Sequence, residues 1–247
     1  MLKKIFFLLS FYSFSQNVTD LNGLKQGKWE LFYPNTNQII SERGSFIDDK
    51  EDGLWIKYHD DGIIREIVSY KLGELNGVRV LLDKKGKLIQ QENYINGEFD
   101  GFQLYFHETG KIKMKIFYKN GLVEGELNKY YRNGKKQEKS NYVNGSKNGL
   151  SIWYFDNENI SMEYPYVNGV IEGLVKIYYN DGTLKSEINY FNNEMEGENK
   201  NYFNSGKIKS LDVYKKGKKN GICLIYDENG LIIQEVKYKN GEKNWLK

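Results

Sequence analysis

The sequence predicts an all-β protein, an elongated single-layer antiparallel meander of about nine β-hairpin repeats with a 24-residue period. Three observations predict it. Ala, the best helix former, is absent, while Tyr 20, Phe 13 and Trp 4 make 15% of the chain aromatic. Such residues favour pleated, half-buried surfaces. Glycine recurs at fixed intervals, and so does tyrosine.

The first sixteen residues, MLKKIFFLLSFYSFSQ, differ from the rest. Lys3 and Lys4 precede an apolar run from Ile5 to Phe14, and Ser13 and Ser15 form a small-x-small site. This is the layout of a secretory signal peptide over 1–15, cleaved before Gln16, which places the mature chain in the periplasm, cell envelope or medium. The run is too short to span a bilayer as a helix. No later segment is apolar enough to cross a membrane. The repeat array then fills 16–247, with its first repeat from about 21 and a truncated last unit from about 239, where Trp245 replaces the next marker glycine.

The marker glycines are Gly53, Gly77, Gly101, Gly125, Gly149, Gly173, Gly197 and Gly221, each 24 residues apart. Gly27 precedes them by 26, so the first repeat carries two extra residues. Positions are counted below from each marker, m. At m+17 stand Tyr70, Tyr94, Tyr118, Tyr142, Tyr166, Tyr190, Tyr214 and Tyr238, with Phe46 in the longer first repeat. At m−4 stand glycines, except Asp49 and Asn193. Asp and Asn are the non-glycine residues that best tolerate positive φ, so this position calls for a left-handed backbone. A second turn at m+9 carries glycine in seven repeats and Glu158 in the eighth. Each unit is therefore two short strands and two turns.

The strand pattern predicts the buried face. Aromatic or Leu residues occupy m+5 (Phe32, Tyr58, Leu82, Phe106, Tyr130, Tyr154, Tyr178, Tyr202, Tyr226), and Ile or Leu most of m+11. By alternation, m+11 shares the face of the m+17 tyrosines. The intervening face, with Arg65, Lys113, Lys185, Lys209, Glu163, Glu187 and Glu235, reads as solvated. Stacked identical side chains would form ladders holding one layer together.

Charge and chemistry exclude several classes. Lys+Arg 36 against Asp+Glu 33, with only four Arg, is too balanced for a nucleic-acid binder. One cysteine, Cys223, cannot form an internal disulfide. His59 and His107 occupy equivalent positions 48 residues apart and read as polar strand-end residues. Asp60-Asp61 lacks the spaced ladder of a calcium loop and reads as turn chemistry. No P-loop, nucleophile elbow or dinucleotide fingerprint is present, so no cofactor, metal or catalytic residue is assigned and the chain reads as a non-enzyme.

The pattern G-x-W-x-x-Y, then N/D-G, then L-x-x-E-x-x-Y-x-N-G-x-x-x-G resembles the bacterial variant of the MORN repeat. Gly27-Lys28-Trp29 and Gly53-Leu54-Trp55 carry its opening, and Leu184-Lys185-Ser186-Glu187, Tyr190 and Gly197 its middle and end. Trp29 and Trp55 have no tryptophan equivalent at Arg79, Gln103, Leu127, Ser151, Val175, Asn199 or Cys223. The resemblance implies a scaffold or binding role, and its bacterial members include antitoxin-like proteins. The expected activity is non-catalytic binding of a protein partner or self-association. Tyr33, Tyr131, Phe155, Tyr179 and Phe203, at m+6, are the candidate contact aromatics. The alternatives are glycan or cell-wall binding by exposed aromatics, and an antitoxin-like role if the chain is not exported.

Overall fold

A computed structural model describes residues 17–244 except Asn35 and Asn37. The expected signal peptide, its cleavage site and Trp245 lie outside the described residues. No helix occurs among the described residues, and within each unit the paired strands run antiparallel. The chain divides into two units, Met1–Lys87 with Tyr94–Gly97, and Leu88–Asn93 with Glu98–Lys247.

In unit 1 the strands Lys25–Phe32, Ile40–Ile47, Lys50–Tyr58, Ile64–Lys71 and Glu74–Leu82 follow one another as a meander. The short strand Val18–Thr19 pairs with Lys25 and Gln26. In unit 2 each repeat is a six-residue strand, such as Gly149–Tyr154, paired with an eight-residue one, such as Ile160–Val167. A two-residue strand, such as Val170–Ile171, then leads to the next marker.

The turns follow the predicted backbone. At m−4, Gly145 has φ 80°, Asp49 63° and Asn193 65°. The residue before is left-handed as well, as in Asn144 at 47°, which makes a hairpin turn of the primed type. Asp49 and Asn193 do more than tolerate this geometry. Their carboxylate and amide oxygens accept the N–H groups of Lys25 (2.8 Å) and Ile171 (2.7 Å). At m+9 even Glu158 is left-handed, at φ 76°.

These turns also bond to the repeat before. The Gly145 N–H donates to the Val123 carbonyl, 2.9 Å, and Gly169 to Lys147, 2.7 Å, each 22 residues upstream. Side chains at m−1 support the same stack: carboxylates of Glu124, Glu172 and Glu196 accept the N–H groups of Asn144 (2.8 Å), Asn192 (2.9 Å) and Lys216 (2.7 Å).

The face assignment needs correction. Tyr58 pairs directly with Ile64, but the next pair is Lys57 with Glu66, so one strand holds an extra residue at a bulge. The same shift recurs in unit 2, as at Trp153 and Tyr154. A bulge breaks the alternation on which the prediction rested. Directly opposed residues share a face, so m+5 and m+11 lie together on an outer face. The inner face carries m+2, m+4, m+13, m+15 and m+17. The tyrosine row is thus on the inner face as expected, and the m+11 row is not. Glu163 and Glu187 are half-buried, not solvated.

The core sits at m+2, the row that lost its tryptophans. In unit 1, Trp55 packs with Phe46 and Val68. Its ring meets Phe46 edge-on at 4.8 Å, and Phe46 meets Trp29 at 5.8 Å. Such pairs add about 0.5–1.5 kcal/mol beyond their buried area. Gly44 must lack a side chain because a Cβ there would fall into the Trp55 ring. In unit 2, Gln103, Leu127, Ser151, Val175, Asn199 and Cys223 are each 5% exposed or less.

Candidate binding surface

The bulge and the m+6 turn set the five candidate aromatics at one end of the hairpins, half-buried. Their hydroxyls serve the neighbouring repeat. In unit 1 Tyr33 donates to the Tyr58 carbonyl, 2.5 Å. In unit 2 Tyr131 donates to Tyr154 (2.6 Å) and Tyr179 to Tyr202 (2.8 Å). His107 makes the equivalent bond through Nε2 to the Tyr130 carbonyl, 2.8 Å, and His59 a longer one to Leu82, 3.4 Å. Phe155 and Phe203 lack the hydroxyl. The ammonium groups of Lys185 and Lys209 lie 5.5 and 5.7 Å from the Tyr179 and Phe203 rings. The row is therefore a clamp between repeats that leaves part of each ring exposed.

The inner face of unit 2 is polar at its centre. The Glu138 carboxylate receives Lys129 at 2.8 Å, Lys147 at 3.2 Å and the Ser140 hydroxyl at 2.9 Å. Burial alone would raise this carboxyl. Hydrogen bonds from Lys129 and Ser140 and the lysine charges outweigh it and hold Glu138 below the usual carboxylate range. Lys147 also sits 4.7 Å over Trp153 and 5.2 Å over Tyr166. On the outer face Glu163, Lys176, Glu187 and Lys200 pair in sequence across four strands. The hydroxyls of Tyr178 and Tyr202 donate to Glu163 (2.8 Å) and Glu187 (2.7 Å). Burial and these bonds to a carboxylate push both phenols up to about 12.

One pattern was invisible to sequence reasoning. Where the ladder breaks at the marker, the m+2 side chains of Trp55, Gln103 and Asn199 partner the backbone of m+16 in the preceding repeat, whereas Leu127 has no polar atom to do so and the buried Ser151 hydroxyl has no partner. Gln103 accepts from the Asn93 N–H (2.8 Å) and donates to its carbonyl (3.0 Å). Asn199 accepts from the Asn189 N–H, 2.7 Å, and the Trp55 indole donates to Ser45, 3.1 Å. Opposite Val175, which can accept nothing, the m+16 residue is Pro165, which has no N–H to offer. At Trp55, Gln103 and Asn199 the signal lay in this pairing across repeats, not in the residue type of either row.

The remaining reactive groups are occupied. Burial raises the Cys223 thiol, opposed by contact with the Val213 N–H. Asp61 accepts from Ile63 within its turn, 3.0 Å, and Glu196 is held by Lys216 as above. No group of three His, Cys, Asp or Glu able to hold a metal occurs among the described residues. No helix there is long and apolar enough to cross a membrane.

A family profile described as MORN repeat variant matches residues 51–72, 100–120, 123–144, 147–168, 171–192, 195–216 and 219–240, more than half of the chain. No curated protein matches. Among solved structures, the chain is similar to one titled "Crystal structure of GtfA/B complex bound to UDP and GlcNAc", at 22% identity and a TM-score of 0.20. That match covers 62% of this chain and 29% of the other.

Proposed function

Given that the chain belongs to the MORN repeat variant family, we propose that it is an exported, non-catalytic binding or scaffold module presenting its repeat β-surface to a protein partner. MORN repeats are commonly binding or scaffold modules and often mediate protein interactions, and the family is generally non-enzymatic. The observation that carries the reading is the recurrence of exposed apolar side chains at equivalent positions. Leu54 and Val78 in unit 1, and Phe102, Leu150, Leu174 and Ile222 in unit 2, all stand at m+1. Apolar rows left in water commonly mark interaction surfaces. Export is supported by the layout of residues 1–15.

Two measurements test the proposal. N-terminal sequencing of the native protein after cell fractionation should find Gln16 first, in the periplasm or medium. An intact Met1 in the cytoplasm would remove export and make an antitoxin-like cytosolic role the leading reading. Crosslinking in the producing cells should yield a protein adduct. Co-sedimentation with insoluble cell-wall glycan and no protein adduct would replace the protein partner by a glycan.

A further inference from the structure

Resting on that reading, we propose that the outer face of unit 2 holds the docking strip, and that its occupant is a basic amphipathic helix of the partner protein. The strip consists of Leu122, Val143, Leu150, Val167, Leu174 and Phe191, which are 37–63% exposed. They come from three rows that adjoin on one face. Val143 pairs with Ser146, Val167 with Val170 and Phe191 with Glu194, while Leu150 pairs with Pro165 and Leu174 with Asn189. Pro165 extends the apolar surface between Leu150 and Val167.

Charges set the length of the strip. Lys119 interrupts the m+18 row before Val143, and Lys215, paired with Lys218, interrupts it after Phe191. About three repeats lie between. At two strand spacings per repeat, each repeat advances about 9.6 Å. Seven residues of an α-helix rise about 10.5 Å, so a helix lying along the strip repeats its contacts once per heptad. An extended segment would run with the strands and meet only one repeat. Three repeats correspond to a helix of roughly 19 residues.

Charge also selects the sign of the occupant. Glu126 and Glu198 take the m+1 positions on either side of Leu150 and Leu174, and both are exposed. Glu172 and Glu196 stand at m−1 along the margin, and Glu194 opposite Phe191. Lys139 neutralises Glu126 at 2.7 Å, so the margin's charge comes from Glu172, Glu194, Glu196 and Glu198. Glu172 and Glu196 each use one oxygen on a turn N–H, and the second is free to meet a cation. An apolar ridge with a carboxylate margin suits a helix whose Leu-type face is flanked by Lys or Arg.

The test uses the full chain and a fluorescent 20-residue helical peptide with Leu at i, i+3, i+4 and i+7 and Lys elsewhere. A second peptide carries Glu in place of Lys. The Lys peptide should bind, and the Glu peptide should bind at least about tenfold more weakly. Leu174→Asp should weaken the Lys peptide by a similar factor, with thermal unfolding confirming that the variant folds. Leu231→Asp, at an exposed apolar site off the strip, should leave binding unchanged. Equal binding of both peptides, or binding indifferent to Leu174→Asp, overturns the proposal. In the producing cells, a photo-crosslinking residue at 174 should capture a partner through a basic amphipathic helix. Adducts only from position 231 would overturn the strip and keep the binding-module reading. No adduct from either position would overturn both.

Discussion

Gln103 shows how much one side chain does in this fold. It replaces a missing rung of the ladder by serving both backbone groups of Asn93. Gln103→Leu leaves a buried N–H without an acceptor, which costs about 1–3 kcal/mol, and a thermal midpoint lowered by several degrees would register it. Glu138 acts through charge. Its folded carboxyl titrates below the ordinary value near 4.5, so its contribution is fully present above that value. It fades as pH falls through the lowered folded value. Glu138→Gln should therefore cost about 1–2 kcal/mol at neutral pH, less than a fully buried pair because Lys129 and Lys147 remain partly solvated. The difference from the native chain should shrink in melts run below pH 4.5. A cost that is the same at both pH values would contradict the ion cluster. Tyr178 and Tyr202 provide an optical check: phenolate absorbance should show a component titrating near 12 that Tyr178→Phe and Tyr202→Phe reduce.

At the scale of the hairpin, backbone conformation decides. Gly145 has room for a side chain, with Leu122 3.6 Å from a Cβ, so steric crowding is not the constraint. Its φ of 80° is, and a β-branched residue resists it. Gly145→Val should cost about 1–2 kcal/mol. Asn193→Gly exchanges relief of backbone strain for loss of the exposed bond to Ile171, so it should change stability by less than about 0.5 kcal/mol. Tyr142, half-buried on the inner face, should also matter more than Lys139, whose bond to Glu126 is exposed. Equal melting of Tyr142→Ala and Lys139→Ala would refute that. The glycine rows were legible in the sequence because positive φ admits few residue types, and even the exceptions Asp49, Asn193 and Glu158 obey it. The m+2 core was not legible. Trp, Gln, Leu, Ser, Val, Asn and Cys share no hydropathy, only a place beside m+16. The bulge at Tyr58 and Ile64 then shifted the alternation for every later residue of the strand. The candidate aromatics were legible as a row, but their clamping hydroxyls needed the neighbouring repeat.

Within each unit, successive repeats are bonded to one another, as from Gly145 to Val123 and from Gly169 to Lys147. Disruption should therefore stay local, as in other arrays of nearest-neighbour contacts. In Gly145→Val, hydrogen exchange should quicken in the strands around residue 145 while Lys50–Tyr58 and Ile64–Lys71 keep their protection. Uniform loss of protection would show that the array unfolds as one.

The two kinds of turn differ in how they could accept changes of chain length. At m+9 the closing bonds are local, as from Gly62 to His59. The two extra residues of the first repeat fall in the corresponding loop, between Tyr33 and Ile39, and the Tyr33–Ile39 closure persists. At m−4 the turns from Gly73 to Gly241 are fastened 22 residues upstream, and Asp49, across the longer first repeat, 24, so inserting one residue there would separate donors from acceptors in the stack. Gain or loss of a whole 24-residue period would preserve every such bond. The m+9 loops are thus the places where a foreign peptide can be grafted, and the array can be lengthened only in complete units.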